Sequence, residues 1–157
     1  MAPDIAHSRA FRDGGHFNPP LQGKSTSIED DLRKAILQGE IVPYYQPIVK
    51  GDTGGLYGVE VLARWKHPKS GFIPPDVFIP IAERSGLIIP LTKGLMAKVV
   101  TQLKPLLSKL PDGFHIGVNI SARHIDAPSF IGDCRVFGKG FQGKEVKLVL
   151  EVTEREP

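Results

Sequence analysis

Three side chains in this sequence have the type and placement to hold a hard cation: Glu60, Asn119 and Glu151. Each lies in a short apolar run. Side chains alternate across a strand. In Gly58-Val59-Glu60-Val61-Leu62-Ala63-Arg64-Trp65, the residues Val59, Val61, Ala63 and Trp65 therefore form a packing face, while Glu60, Leu62 and Arg64 share the other face. Charges inside an apolar segment are rare unless they are paired or hold a metal or ligand. Two readings stand side by side: a Glu60–Arg64 ion pair at a sheet edge, or a binding site. In His115–Ser121, Ile116, Val118 and Ile120 share one face, and Gly117, Asn119 and Ser121 the other. In Val146–Thr153, Val149, Glu151 and Thr153 share a face. Two carboxylates and an amide oxygen suit Mg²⁺, Mn²⁺ or Ca²⁺, and not zinc. The competing reading is three isolated polar groups, each satisfied by its neighbours. The five histidines, His7, His16, His67, His115 and His124, read as surface or loop residues.

The elements that must position these residues follow in chain order. Ser27 is a helix N-cap with Asp30 three residues on, Ile28, Leu32, Ala35 and Ile36 share a face, and Gly39 ends the helix. A strand at Val42–Val49 contains Pro43 and Pro47, which cannot donate to a ladder, so it belongs at an edge. Gln46, from the residues alone, is an ordinary polar residue of that edge. The turn chemistry of Lys50–Gly55 joins this strand to Gly58–Trp65 as an antiparallel hairpin. His67 to Pro75 reads as a loop. Asp76–Ser85 reads as a helix interrupted at Pro80, and Leu91–Leu110 as a longer helix kinked at Pro105. Residues 122–131 suit a short helix. The glycines Gly132, Gly138, Gly140 and Gly143 suggest a flexible connection over 132–144. After the hairpin, strands alternate with helices, which predicts an α/β fold with parallel strands and right-handed crossovers. Sites in such folds form at the C-terminal ends of strands, and Glu60, Asn119 and Glu151 are read as lying near the C-terminal halves of theirs.

Composition sets outer bounds. The chain has 157 residues, a one-domain length, with 41% hydrophobic and 24% charged residues. A net charge of +3 suits an anionic ligand. No Lys/Arg run argues for a nucleic-acid polymer as partner. Cys134 is the only cysteine, which fits a reducing compartment. No apolar run approaches the roughly 18 residues of a membrane span, and no signal-peptide core follows Met1. The expectation is a soluble, cytoplasmic chain without membrane contact. Residues 1–24, with Gly14-Gly15 and Pro19-Pro20, read as a disordered arm or linker before a folded part at 25–157.

Longer motifs add a resemblance. Tyr45-Gln46-Pro47-Ile48, Glu60-Val61-Leu62-Ala63-Arg64-Trp65, Phe78-Ile79-Pro80-Ile81-Ala82-Glu83-Arg84-Ser85-Gly86-Leu87-Ile88, Val118-Asn119-Ile120-Ser121 and Leu150-Glu151-Val152-Thr153-Glu154 occur in this order. In that order they resemble the EAL-domain family, over roughly residues 28–157. The resemblance implies a TIM-barrel-like fold with one antiparallel strand, and hydrolysis of cyclic di-GMP to linear pGpG. It implies Glu60, Asn119 and Glu151 as catalytic ligands of Mg²⁺ or Mn²⁺. It implies Gln46, Leu62 and Arg64 as substrate contacts, Arg64 at a phosphate. Glu83 and Glu154 are taken as structural. The ending Thr153–Pro157 also resembles a subgroup in which a periplasmic sensor and membrane spans precede a cytoplasmic EAL domain.

Beyond the strand of Glu151 the family pattern continues with an Asp-Asp pair on the next strand, a lysine and a later glutamate, and the five residues from Thr153 to Pro157 hold no such motifs. The chain therefore resembles the first half of an EAL barrel. Two functional classes follow: part of a cyclic di-GMP phosphodiesterase, inactive alone, or a non-catalytic truncated or degenerate EAL module binding nucleotide or protein partners. Half a barrel is expected to leave Val59, Val61, Ile116, Val118, Leu148 and Leu150 uncovered and so to form a homodimer or higher oligomer.

Overall fold

The computed structural model describes residues 27–152. The arm expected over 1–24, as well as Thr153 and Glu154, lie outside the described residues. The elements are α1 (Ile28–Gln38), β1 (Ile41–Val49), β2 (Leu56–His67), β3 (Gly71–Ile73), α2 (Pro75–Ser85), α3 (Ile88–Leu103), β4 (Phe114–Ile120), α4 (Ala122–Ile125), α5 (Phe130–Lys139) and β5 (Val146–Val152).

The start of α1 follows from its cap. Ser27 Oγ accepts from the Asp30 amide at 3.3 Å and donates to the Asp30 carboxylate at 3.1 Å. Gly39 closes the helix with φ 73°, a left-handed conformation that glycine adopts without penalty. The corner into β1 is then fastened twice. The Lys98 ammonium donates to the Gly39 and Ile41 carbonyls, and burial pulls its pKa down. Trp65 Nε1 donates to Glu40 at 3.0 Å.

β1 and β2 form the expected antiparallel hairpin, running from Ile41↔Trp65 to Ile48↔Gly58. β1 lies at the edge of a five-stranded sheet of order β1-β2-β4-β5, where its prolines leave no ladder broken. β2 with β4 and β4 with β5 run parallel. The predicted loop after His67 contains a strand: β3 pairs with the end of β2 at Trp65↔Ile73, Lys66↔Phe72 and His67↔Gly71.

The helices correct four further expectations. α2 runs through Pro80 without interruption, because Phe78 and Ala82 on either side are fully buried and packing outweighs one lost hydrogen bond. α3 begins earlier, at Ile88, and ends at Leu103; Pro105 falls in a 3₁₀ segment, Lys104–Lys109, not in a kinked helix. The short helix over 122–131 stops at Ile125, and α5 starts at Phe130. The segment expected to be a flexible connection is mostly α5. Phe137 and Phe141 bury their rings 5.0 Å apart. A β-carbon on Gly140 would lie 2.4 Å from Val100, so this glycine lets the end of α5 close onto α3.

Leu32, Phe78, Leu91, Leu95 and Val99 of α1, α2 and α3 form one core with Val61, Trp65, Ile116, Val118 and Ile120 of the sheet. The Trp65 and Phe78 rings meet edge to face at 5.8 Å. Val59, Val61, Ile116 and Val118, expected to be uncovered, are at most 8% exposed because the chain's own helices cover them. Leu148 and Leu150 are half-buried against the same core. Among the described residues no helix is long and apolar enough to cross a membrane.

Candidate active site

The strand register places the candidate residues. Glu60 is paired with Gln46 on one side and Gly117 on the other, and Gly117 with Val149. Directly paired residues share a face, so Gln46, Glu60, Gly117 and Val149 form one row across the sheet. One step further on that face, Tyr44 is paired with Leu62, and Asn119 with Glu151. Gln46, Glu60, Leu62, Arg64, Asn119 and Glu151 are all partly buried.

Two strands part at this level. The β2–β4 ladder ends at Val61↔Val118, and the β2–β3 ladder begins at Trp65↔Ile73. Leu62, Ala63 and Arg64 belong to neither. A cavity of about 220 Å³ opens there, lined in part by Leu62, Arg64, Glu83, Asn119 and Ser121. Asn119 Nδ2 reaches back across the divergence and donates to Glu60 Oε1 at 3.1 Å. The carboxylate of Glu151 comes from the other side. A β-carbon built on Gly117 would lie 2.9 Å from Glu151 Oε1 and 3.7 Å from the Glu60 Cα. The missing side chain of residue 117 thus leaves room for the Glu151 carboxylate over β4, beside the strand that carries Glu60.

The Glu60–Arg64 ion pair is absent from the ion pairs of the described residues. Four strand residues separate their Cα atoms by about 13 Å. Arg64 instead donates from Nη1 to the Ala63 carbonyl at 3.0 Å, and its guanidinium lies 5.9 Å from the Tyr44 ring centroid. Tyr44 meets Phe72 of β3 edge to face at 5.9 Å. Tyr44 has no role expected from the sequence, although β1 alternation puts it on the same face as Gln46. His124, expected at the surface or in a loop, is fully buried.

The donor set is two carboxylates and one amide. Among the described residues no group of three or more His, Cys, Asp or Glu side chains could hold a metal ion. With Nδ2 committed to Glu60, the Asn119 Oδ1 is the third hard oxygen of the set. Without a β-carbon, Gly117 leaves Glu151 Oε1 the room it takes there. These residues fit a hard divalent cation.

The sequence pattern described as EAL domain matches residues 29–157. The chain belongs to the EAL-domain family. It is 54% identical over 153 residues to the probable cyclic di-GMP phosphodiesterase PdeG of Escherichia coli (strain K12), covering 98% of this chain and 29% of PdeG. It is 46% identical over 152 residues to the cyclic di-GMP phosphodiesterase PdeL of the same organism, covering 97% of this chain and 40% of PdeL. The chain thus spans less than half the length of these curated relatives. The solved structure of the PaMucR phosphodiesterase in complex with c-di-GMP superposes with a TM-score of 0.69 at 33% identity, over 79% of this chain and 50% of that one. EAL domains have a TIM-barrel-like fold. The parallel β2-β4-β5 sheet with antiparallel β1 is part of such an EAL barrel, as the motifs implied.

Proposed function

We propose that the protein carrying this chain hydrolyses cyclic di-GMP to linear pGpG. In this reading Glu60, Asn119 and Glu151 hold a divalent cation, Mg²⁺ or Mn²⁺, and Gln46, Leu62 and Arg64 contact the dinucleotide. The observation that carries it is the Asn119–Glu60 hydrogen bond, with Glu151 brought over Gly117 beside it. PdeG and PdeL, named as cyclic di-GMP phosphodiesterases, support the substrate. So does the ligand of the PaMucR complex.

The chain's own residues divide the work. When bound, the cation supplies Lewis acidity and a water of lowered pKa. Glu60 is oriented by the Asn119 amide and contributes negative charge. Glu151 contributes the second charge from β5. Arg64 offers a planar fork of donors to a phosphate oxygen, with Tyr44 against its guanidinium. Leu62, between Glu60 and Arg64, gives the nucleotide an apolar surface.

The 157 residues alone bind and do not turn over in this reading. Two carboxylates and an amide suffice for one cation, whereas phosphodiester hydrolysis by a metal pair needs ligands for both. The site lies in the cytoplasm, where Cys134 stays reduced. Self-association along β5 belongs to the same reading, because β5 pairs only with β4 among the described residues. Light scattering that finds a monomer removes that part. The deciding experiment is calorimetric titration of the 157-residue chain with cyclic di-GMP in Mn²⁺, beside Glu60→Gln. Saturable binding that Glu60→Gln weakens is expected. No binding by the wild type overturns the reading.

A further inference from the structure

β4 loses its β2 partner after Val118 and still has to present Asn119 to Glu60. β5 still pairs with it on the far side, at Asn119↔Glu151 and Ile120↔Val152, and on the side that β2 has left the strand runs into α4, whose first residue, Ala122, comes three after Asn119. Ser121 caps α4, accepting from the His124 amide at its side chain, 3.3 Å, and at its carbonyl, 3.0 Å. Two neighbouring side chains of α4 then tie it to the rest of the fold in different directions.

Arg123 points to α2. Its Nη1 donates to the Glu83 carbonyl at 2.8 Å and the Arg84 carbonyl at 3.2 Å. These carbonyls belong to the last turn of α2, where helical partners run out and a cation is favoured. His124 points to α3 and α5. Its ring is fully buried, and Nε2 lies 3.2 Å from Asp133 Oδ2. Asp133 also accepts from Ser129 Oγ at 2.9 Å and pairs with Lys93 of α3 at 3.1 Å. Phe130 packs edge to face on the imidazole at 5.5 Å. His124 Nδ1 is buried and has no hydrogen-bond partner among the described residues. Leaving a buried ring nitrogen unpaired is unfavourable, and an apolar side chain filling that site would avoid it. A histidine there is explained by the directed bond it makes.

We infer that Arg123 and His124 are positioning residues: on the side where β2 has parted from β4, α4 braces the end of β4 against α2, α3 and α5, and so holds the Asn119 amide on Glu60. This rests on the reading of Asn119 as a site residue. The brace acts through the backbone from Asn119 to Ser121 and touches neither cation nor nucleotide.

The chain has two asparagines, Asn18 and Asn119, so selective ¹⁵N-asparagine labelling gives two side-chain amide pairs, assigned with Asn119→Ala. In the 157-residue wild type the Asn119 pair should be shifted and slow to exchange. In Arg123→Gln, Asp133→Asn and His124→Gln it should move toward the free-amide position. Mn²⁺ affinity should fall about tenfold, the smaller of the usual losses for an outer-sphere partner. His124→Gln combined with Asn119→Ala should bind no more weakly than Asn119→Ala alone. Should His124→Gln fail to fold, the exposed Arg123 and the Asp133 variant carry the test. An unmoved Asn119 signal in variants that melt cooperatively overturns the inference. A wild type that binds no Mn²⁺ overturns the cation reading alone, and the amide signal still decides the positioning.

Discussion

Glu151 Oε1 lies 2.9 Å from the point where a β-carbon on Gly117 would stand. The carboxylate of one strand occupies the side-chain space of the next, at the level where that neighbour pairs with Glu60. Gly117→Ala should push Glu151 out of that space. We expect Mn²⁺ affinity to drop about tenfold or more with little loss of stability, because the Glu151 carboxylate is the end of a flexible side chain and can swing aside. Titration followed by electron paramagnetic resonance, with urea unfolding alongside, measures both. Unchanged affinity would separate Glu151 from the site.

Glu60→Ala in the active protein should remove most turnover, since it deletes one of two carboxylates and leaves the Asn119 amide without its acceptor. Chromatographic detection of pGpG measures this. Near-normal turnover with metal still bound would sink the assignment of Glu60.

The 157-residue chain should form no pGpG even with cyclic di-GMP and Mn²⁺ in excess, because cooperating catalytic groups lose orders of magnitude when one is missing. Product formed by a purified, sequence-verified sample would contradict this.

Three glycines separate packing from propensity. A β-carbon on Gly58 would lie 2.5 Å from the His115 carbonyl oxygen, which is backbone and cannot swing away. On Gly140 it would meet Val100. Both alanine variants should lose about 1–3 kcal/mol. Gly94, inside α3 with nothing within 4 Å, should gain about 0.4–1 kcal/mol as alanine. Urea midpoints at constant slope report all three.

Burial works to raise the Asp133 pKa, but hydrogen bonds from His124, Lys93 and Ser129 and the Lys93 charge outweigh it and hold the carboxyl below its ordinary 3.8. A depressed carboxyl pKa contributes stability that is fully present above the ordinary value and is lost as pH falls through the lowered one. Acid should therefore weaken the wild type below the ordinary aspartate value more steeply than Asp133→Asn. Equal slopes in denaturation at several acid pH values would show that the Asp133 cluster adds nothing to this dependence.

Alternation alone, a property of each strand by itself, put Glu60, Leu62 and Arg64 on one face and Gly117 and Asn119 on another. The prolines of β1 made it an edge strand, and Ser27 with Gly39 bounded α1, because caps and missing donors are local chemistry. β3 was not legible, since three residues become a strand only when β2 lies beside them. α5 was not legible either. Its glycines oppose a helix by propensity, and burial of Phe137 and Phe141 with the Gly140–Val100 approach overrides them. His124 looked like a surface residue because what buries it comes from α3 and α5. The stagger between strands is written in no single strand. Only the tertiary structure therefore decided that Asn119 reaches Glu60 where β2 and β4 part, that Glu151 fills the space above Gly117, and that Arg64 turns to Tyr44 instead of a carboxylate.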